Sequence, residues 1–445
     1  MIKVVKFGGS SVANAEQFQK VKGILEAEED RKFVVVSACG KESREDYKVT
    51  DLLYLCHAHI KYGVSHQSLF DKVKEKYNSI KEKLHLSIDL NAEFATIESS
   101  MKKGVSEDYL VSRGEYLTAK CMAEYLGAAF LDAADVICFH YNGELDLEKT
   151  GEALLSALEQ LPENTRVVVP GFYGHLPNGV IRVMSRGGSD ITGAILANIV
   201  DADVYENWTD VPGILVADPR IVDHPMSIRR ISYAELREMS YMGANVLHDE
   251  AIFPVKEKNI PINIRNTNDP ANSGTMIMAD CSSYDAKEEP HCITGITGKQ
   301  DYTSINIVKS HASSEVGFLR NVLEIFEEYE ISVETVPSSI DSLGIVVESS
   351  AVERCLYDIV ARLKEELHCD EVNVIQDLSL IAIVGRGMKR QLGMSGRIFA
   401  EFGRNDVNIR LISQGSDEIN IMVGVENRDF ARGIRCIYEK FLKNN

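Results

Sequence analysis

Val4-Val5-Lys6-Phe7-Gly8-Gly9-Ser10-Ser11-Val12 opens the chain with a β-branched run, paired glycines and two hydroxyl residues, and a helical stretch from about Ala15 to Glu29 follows. A strand that breaks at Gly-Gly and turns at once into a helix is the first unit of an α/β sheet. Glycines allow backbone N–H groups to approach phosphate oxygens closely, and a helix N-terminus adds partial positive charge. Lys6 stands before the glycines rather than after them, so this is not a Walker loop. A purely structural strand-to-helix turn would read the same way at this point.

The pattern repeats outward from there. Phe33-Val34-Val35-Val36 and Arg166-Val167-Val168-Val169-Pro170 read as buried strands, followed by a helix from about Asp190 to Val200 and a strand at Ala202-Asp203-Val204-Tyr205. Short β-branched runs alternating with amphipathic helices predict a mainly parallel sheet. Ala58 to Lys103 carries no strand signal and predicts a helical excursion. The 445 residues suggest two to four domains, and 44% hydrophobic with 26% charged residues is ordinary globular composition. No apolar run is long enough to span a membrane, and Met1–Phe7 lacks the layout of a signal peptide, so a cytoplasmic location is expected. The net charge of −19 argues against nucleic acid and anionic membranes as partners. Nine dispersed cysteines without a Cys-x-x-Cys pair read as reduced thiols. His57 and His59 read as a solvated helix face, and no resident metal site is expected.

The polar run Ala279 to Pro290 marks a boundary, and an internal repeat follows it. Aligning Gly317 with Gly393, an offset of 76, superposes Val322, Leu323 and Phe326 on Ile398, Phe399 and Phe402 without gaps. Ile331, Val333, Leu343 and Ile345 fall on Val407, Ile409, Ile419 and Ile421 in the same register. Gapless matching over about thirty residues signals two copies of one module. The first reads βαββαβ, with strands at Ser304–Val308, Ser332–Ser338, Gly344–Glu348 and Glu371–Ile375. The second lacks its last strand. Cys292–Thr297 is unassigned and would complete it, which places the first module inside the second.

Three loops carry chemistry. Besides the first, Ser185-Arg186-Gly187-Gly188-Ser189-Asp190 again leads glycines into a helix. Helix capping explains Ser189 or Asp190 but not Arg186, whose guanidinium can clamp a carboxylate through two bonds. Thr209-Asp210-Val211-Pro212-Gly213-Ile214, continuing to Asp218-Pro219-Arg220, could face a nucleotide and its Mg²⁺, although Val-Pro-Gly is also an ordinary turn. Ser37-Ala38 with Thr50-Asp51, and Ser112-Arg113-Gly114-Glu115, are less specific polar clusters.

In this order, together with Gly243-Ala244-Asn245-Val246-Leu247-His248, these motifs resemble the aspartokinase family over the whole chain, including a C-terminal tandem of ACT modules. The resemblance implies an amino-acid-kinase-like αβα sandwich with a mainly parallel sheet, plus two ferredoxin-like ACT modules. It implies a catalytic domain over 1–285, an inserted module over 302–377, and a second module built from 291–300 and 378–445. It further implies ATP with Mg²⁺ as phosphoryl donor, L-aspartate as acceptor and 4-phospho-L-aspartate as product, serving lysine, diaminopimelate, threonine and methionine biosynthesis. Carried over residue by residue, Lys6 with Gly8, Gly9 and Ser10 would hold the transferring phosphate. Thr50, Glu115, Arg186 and Ser189 would form the aspartate pocket, with Asp190 organising the reacting groups. Thr209, Asp210, Arg220, Asn245 and Val246 would face ATP. Leu215 and Asn245 depart from the tyrosine and lysine common in the family, both on the nucleotide side. Gly317, Phe318, Leu319, Ser332, Val333 and Glu334 would line an effector pocket, with a homodimer or larger oligomer assembled through the modules. Lysine is the expected effector because Glu334 can pair with its ε-ammonium. The second copy has Arg410 at the position of Glu334, so the two modules should differ in ligand. The rival readings are another kinase of the superfamily and a non-catalytic amino-acid sensor.

Arg186→Ala should lower kcat/KM for the carboxylate acceptor by about 30- to 1000-fold, the loss of a two-point charged clamp worth roughly 2–4 kcal/mol. Steady-state kinetics within threefold of wild type would remove Arg186 from the acceptor site.

Overall fold

Strands of the first half are buried on both faces, and that decides their layering. In the computed structural model, which describes residues 1–43, 45–184, 187–244, 249–281 and 292–443, Val4, Val5, Val34, Val35, Val36, Val168 and Val169 have no solvent exposure. Each such side chain contributes roughly 1.5–3 kcal/mol on burial, and two-sided burial requires helices on both faces. The strands are β1 (Lys3–Phe7), β2 (Arg31–Val36), β3 (Ala129–Phe130), β4 (Val167–Pro170), β5 (Tyr173–His175), β6 (Ile181–Val183), β7 (Val204–Thr209), β8 (Arg230–Ser232), β9 (Ile262–Asn266) and β10 (Thr275–Met278). Eight of them form one sheet in the order β3-β4-β2-β1-β7-β9-β10-β8, with β5 and β6 as a separate hairpin. Every pair in the large sheet is parallel except β9 with β10.

Two compact units divide the chain: Met1–Ile214 with Ser227–Tyr233 and Val246–Cys281, and Leu215–Met226 with Ala234–Asn245 and Ser282–Asn445. The helical excursion of the first unit is three helices, Val49–Lys61, Gln67–Leu84 and Leu90–Lys102. Each buries one stripe: Phe70, Val73, Tyr77 and Ile80 recur at helical spacing, as do Leu90, Phe94, Ile97 and Met101.

One buried charge cluster lies against the sheet. Arg31 Nε and Nη2 donate to the two oxygens of Glu206 at 2.8 and 3.2 Å, and Trp208 Nε1 donates at 2.8 Å. Lys3 Nζ lies 3.2 Å from the same carboxylate. Burial alone would raise the Glu206 carboxyl, but Arg31, Trp208 and Lys3 hold it below the usual range.

The second unit carries an antiparallel sheet of β11 (Gly295–Val308), β12 (Ser342–Glu348), β13 (Glu371–Val384), β14 (Leu411–Gln414) and β15 (Asn420–Glu426), in the order β12-β11-β13-β15-β14. The sequence suggested two separate strands on either side of Gln300, whereas β11 runs through both. A register shift falls between Lys299 and Tyr302, and Asp301 takes a left-handed φ of 66° there. The polar residues that read as a break are a β-bulge. Asp377, one repeat length later, has φ 58° inside β13. Beyond the bulges, Gly295–Lys299 pairs with Val384–Leu380 and Ser304–Val308 with Ile375–Glu371. The strand expected at Ser332–Ser338 is reduced to isolated bridges at Thr335 and Ser338. Pro337 lacks the N–H that a ladder needs, while its repeat counterpart Ser413 has one and lies within β14.

A fragment ending at Gln376 cuts β13 in half and strips Gly295–Lys299 of its partner, exposing an apolar sheet edge. Size-exclusion chromatography should find 1–376 aggregated. A soluble, monodisperse fragment would contradict this dependence.

Candidate active site

The strands β1 and β2 end side by side, and the loops after them touch through backbone. Gly40 N donates to Gly9 O at 2.8 Å. A Cβ on Gly40 would sit 2.6 Å from the Gly9 carbonyl carbon, and one on Gly9 would sit 2.9 Å from Ala38 O. Only glycine fits at either position. Gly8 N is tied to Trp208 O at 2.9 Å, which anchors the loop to β7.

Around this crossing opens a cleft of about 1110 Å³, entirely within the first unit. Of the residues singled out from sequence, Lys6, Gly8, Gly9, Ser10, Thr50, Glu115, Ser189, Asp190, Thr209 and Asp210 all line it. Arg220 belongs to the second unit, where its guanidinium is engaged by Asp218, with Nη2 at 2.6 Å. Arg186, Asn245 and Val246 lie outside the described residues.

Lys6 Nζ is 2.6 Å from Asp190 Oδ1, and both side chains are nearly buried. Asp190 stands in the first turn of the helix Gly188–Ile199, where a carboxylate also meets the positive end of the helix. Asn207 Nδ2 donates to the same oxygen at 2.9 Å. Lys6 and Asn207 pair in register across β1 and β7, so the sheet itself sets this triad. Asn207 was not singled out from sequence. Its signal is a buried amide amid the aromatic residues of Tyr205-Glu206-Asn207-Trp208.

Glu115 lies inside the helix Glu107–Leu126 and is 4% exposed. Its Oε2 has no hydrogen-bond partner. Burial pushes its pKa up to about 8, against the opposing pull of the Ala38 backbone and Arg113. Arg113 itself stacks on Tyr109 and Tyr116, with ring centroids at 4.6 and 4.4 Å. A buried carboxylate oxygen without a donor, facing a cleft, suits an incoming ammonium group.

Sequence reading also missed the lysines of the loop after β2. Lys41 and Lys48 line the cleft, and the loop is clamped by Lys76, whose Nζ donates to Gly40 O and Asp46 Oδ2, each at 2.6 Å. The signal was Gly40 itself, set between a strand and two lysines. Cys39 lines the cleft too, but burial pushes its pKa up to about 11, so it offers no thiolate at neutral pH. A cleft lined by lysines and by an unpartnered carboxylate can hold polyphosphate beside an amino acid.

In the second unit, Gly317 caps the helix Phe318–Glu328 with φ 88°, and Gly393 caps its counterpart with φ 73°. Phe318 is buried, Leu319 and Ser332 are exposed and Val333 is half-buried. Glu334 N donates to Val346 O at 2.8 Å. Glu334 Oε2 accepts from Tyr241 OH at 3.3 Å, while Oε1 is buried without a partner. Burial raises the Glu334 carboxyl, partly offset by Lys299 and Tyr241. Arg410, its repeat counterpart, lies instead 3.8 Å from Glu426.

Known proteins resemble this chain over almost its whole length. Residues 1–266 match the amino acid kinase family and residues 381–441 an ACT domain. Aspartokinase 3 of Bacillus subtilis is 36% identical over 99% of this chain and 98% of its own length. The aspartate kinase structure from Clostridium acetobutylicum superposes with a TM-score of 0.89 at 44% identity, covering 99% of both chains. Aspartokinase III of E. coli, solved with aspartate and ADP, has a TM-score of 0.71 at 25% identity over 99% of both chains. The same enzyme with lysine and aspartate has a TM-score of 0.74 at the same identity and coverage.

If Glu115 must ionise to receive an ammonium group, its pKa of about 8 makes substrate binding pH-dependent. KM for the amino-acid substrate should fall roughly five- to tenfold between about pH 7 and pH 8.5 as the proton leaves. Glu115→Gln should raise KM and flatten that profile. A flat wild-type profile would show that Glu115 does not meet the ammonium.

Proposed function

This chain belongs to the amino acid kinase family and, within it, to the aspartokinases, and we propose that its cleft transfers the γ-phosphoryl group of ATP to the β-carboxylate of L-aspartate, giving 4-phospho-L-aspartate. The observation that carries the acceptor assignment is the unpartnered, buried Oε2 of Glu115 in a cleft that lysines also line. An amino acid supplies the ammonium that this oxygen lacks. Arg186 would take the α-carboxylate, and Thr50 and Ser189 would complete the pocket.

The reaction needs no general base, because a carboxylate with an ordinary pKa of about 4 is already a nucleophile. A β-carboxylate oxygen bonds to the γ-phosphorus as the bond to the β–γ bridging oxygen breaks, and ADP leaves with that electron pair. The work is positioning and charge neutralisation. Lys6 is held ready by Asp190 and turns to the transferring phosphoryl oxygens, while Asn207 keeps Asp190 in place. The amides of Gly9 and Ser10 and the charges of Lys41 and Lys48 would face the phosphates, whereas the Gly8 N–H expected among them is taken up by Trp208 O. Thr209 and Asp210, which line the cleft, would face the nucleotide. Among the described residues no group of three His, Cys, Asp or Glu side chains could hold a metal ion. Mg²⁺ would arrive on the ATP phosphates and neutralise phosphate charge there, with Asp210 of the cleft lining to steady it.

The division into a catalytic domain over 1–285, an inserted ACT module over 302–377 and a second module from 291–300 and 378–445 is part of the same proposal. Lysine is the proposed effector, its ε-ammonium read by Glu334 Oε1 and its α-carboxylate by backbone N–H groups at the Gly317-Phe318-Leu319 helix start. Ser332 and Val333 would flank it. The complex of E. coli aspartokinase III with lysine and aspartate supports this reading. Assembly through the ACT modules into at least a homodimer, and a cytoplasmic place early in lysine, threonine and methionine biosynthesis, follow from the same resemblance. Among the described residues no helix is long and apolar enough to cross a membrane.

Hydroxylamine trapping of the acyl phosphate, with aspartate and glutamate compared as acceptors, tests the reaction. Aspartyl hydroxamate should accumulate with ATP, and a preference for glutamate would overturn the assignment. Glu334→Ala should weaken lysine inhibition roughly 10- to 150-fold while leaving uninhibited turnover near wild type. An enzyme that ignores millimolar lysine would remove Glu334 from that role without touching the kinase assignment.

A further inference from the structure

A second cavity, of about 400 Å³, lies in the first unit between the helix Ala15–Glu26 and the residues after β9. It shares no lining residue with the catalytic cleft. Its apolar walls include Ile24, Ala27, Pro270 and Trp208. Gly23 leaves one side open, since a Cβ there would meet nothing within 4 Å.

The charges around it do not balance. Lys20, Arg31 and Arg265 line the cavity against one carboxylate, Glu28. Arg31 is satisfied by Glu28 and by the buried Glu206, and Glu206 also receives Lys3 and Trp208. Arg265 Nη1 is left 3.8 Å from Glu206, and Nη2 donates to the Pro270 and Asn272 carbonyls. Arg265 Nε is buried and donates to nothing. Lys20 Nζ donates to the amide oxygen of Asn268 at 2.7 Å, and among the described residues no ion pair engages it. In a chain of net charge −19, a pocket holding two cations in excess of its carboxylates, one with a free buried N–H, is built for an anion.

Two walls of this cavity are also supports of the glycine loop. Trp208 O accepts the Gly8 N–H at 2.9 Å, and Thr267 Oγ1 lies 2.7 Å from Ser11 Oγ. We propose that this cavity binds a small organic anion, an apolar body bearing one carboxylate or phosphoryl group, held by Arg265 Nε and Lys20 Nζ. The occupant rests on the Trp208 wall and is felt by the phosphate-binding loop through Trp208 and Thr267.

Trp208 is the chain's one tryptophan, so intrinsic fluorescence reports on the cavity directly. The full-length protein, its catalytic cleft saturated with ADP, is titrated with phenyl phosphate, benzoate and phenol, with equilibrium dialysis in parallel. At least one of the two anions should bind saturably and change the emission, and phenol should do neither. Lys20→Gln should weaken binding roughly five- to tenfold, as expected for one charge-assisted bond. Gly23→Met, which fills the open side from an exposed helical position, should abolish binding while leaving turnover without the anion unchanged. The bound anion should shift KM for ATP at least twofold in wild type and not in Gly23→Met. No uptake by dialysis at millimolar anion, equal binding of phenol, or undiminished binding by Gly23→Met would each overturn the site. An unchanged KM with the anion bound would overturn its link to the loop.

Discussion

The catalytic end of the sheet depends on one backbone contact, Gly40 N–H donating to Gly9 O at 2.8 Å with no room for a side chain on either residue. Because the chain after β1 and the chain after β2 meet there, Lys6, Gly8, Gly9 and Ser10 share a cleft with Lys41 and Lys48. Lys76 holds the second strand of this crossing from a helix of the excursion. The excursion is therefore part of the site: it supplies Lys76 and Thr50, and packs against the helix that buries Glu115. A side chain on either glycine would push the two loops apart, and with them the Gly9 and Ser10 amides and the lysines of the same cleft.

Three acids of the first unit with little exposure are treated differently, and the differences sort structure from function. Glu206 is ringed by Arg31, Lys3 and Trp208 and held below its usual pKa, a fully satisfied group that ties β7 to its neighbours. Asp190 lines the cleft and is satisfied by Lys6 and Asn207. Glu115 has an empty oxygen and a pKa raised to about 8. A buried carboxylate left unpaired is costly, so a fold that keeps one in its cleft gains only when a cationic ligand arrives.

The second unit follows a parallel logic at the level of the repeat. Gly317 and Gly393 cap equivalent helices from the left-handed region, and Asp301 and Asp377 bulge equivalent strands. Where the copies differ, function can differ. Pro337 against Ser413 leaves one copy with bridges and the other with β14, and Glu334 against Arg410 reverses the charge at a matched position.

Much of this was legible in the sequence, because it rests on local rules. β-Branched runs buried on both faces, glycines between strand and helix, and apolar positions at helical spacing predict the parallel sheet and its helices. The 76-residue offset exposed the repeat. Residue types adjacent to the glycine loops marked Lys6, Ser189, Asp190, Thr209 and Asp210. What the sequence could not decide depends on groups far apart in the chain. The 14-residue strands β11 and β13 looked like separate pieces because a bulge and a turn have the same polar composition, and only cross-strand pairing tells them apart. Asn207 and Lys76 joined the site, and Arg265 and Trp208 walled a second cavity, only once β7, β9 and the excursion helices had packed. The sequence determined which segments could be strands, helices and loops, since neighbours along the chain set those preferences. Tertiary structure decided which charges are paired and which are left open, because a charge's partner is fixed by distance in space and by exclusion of water.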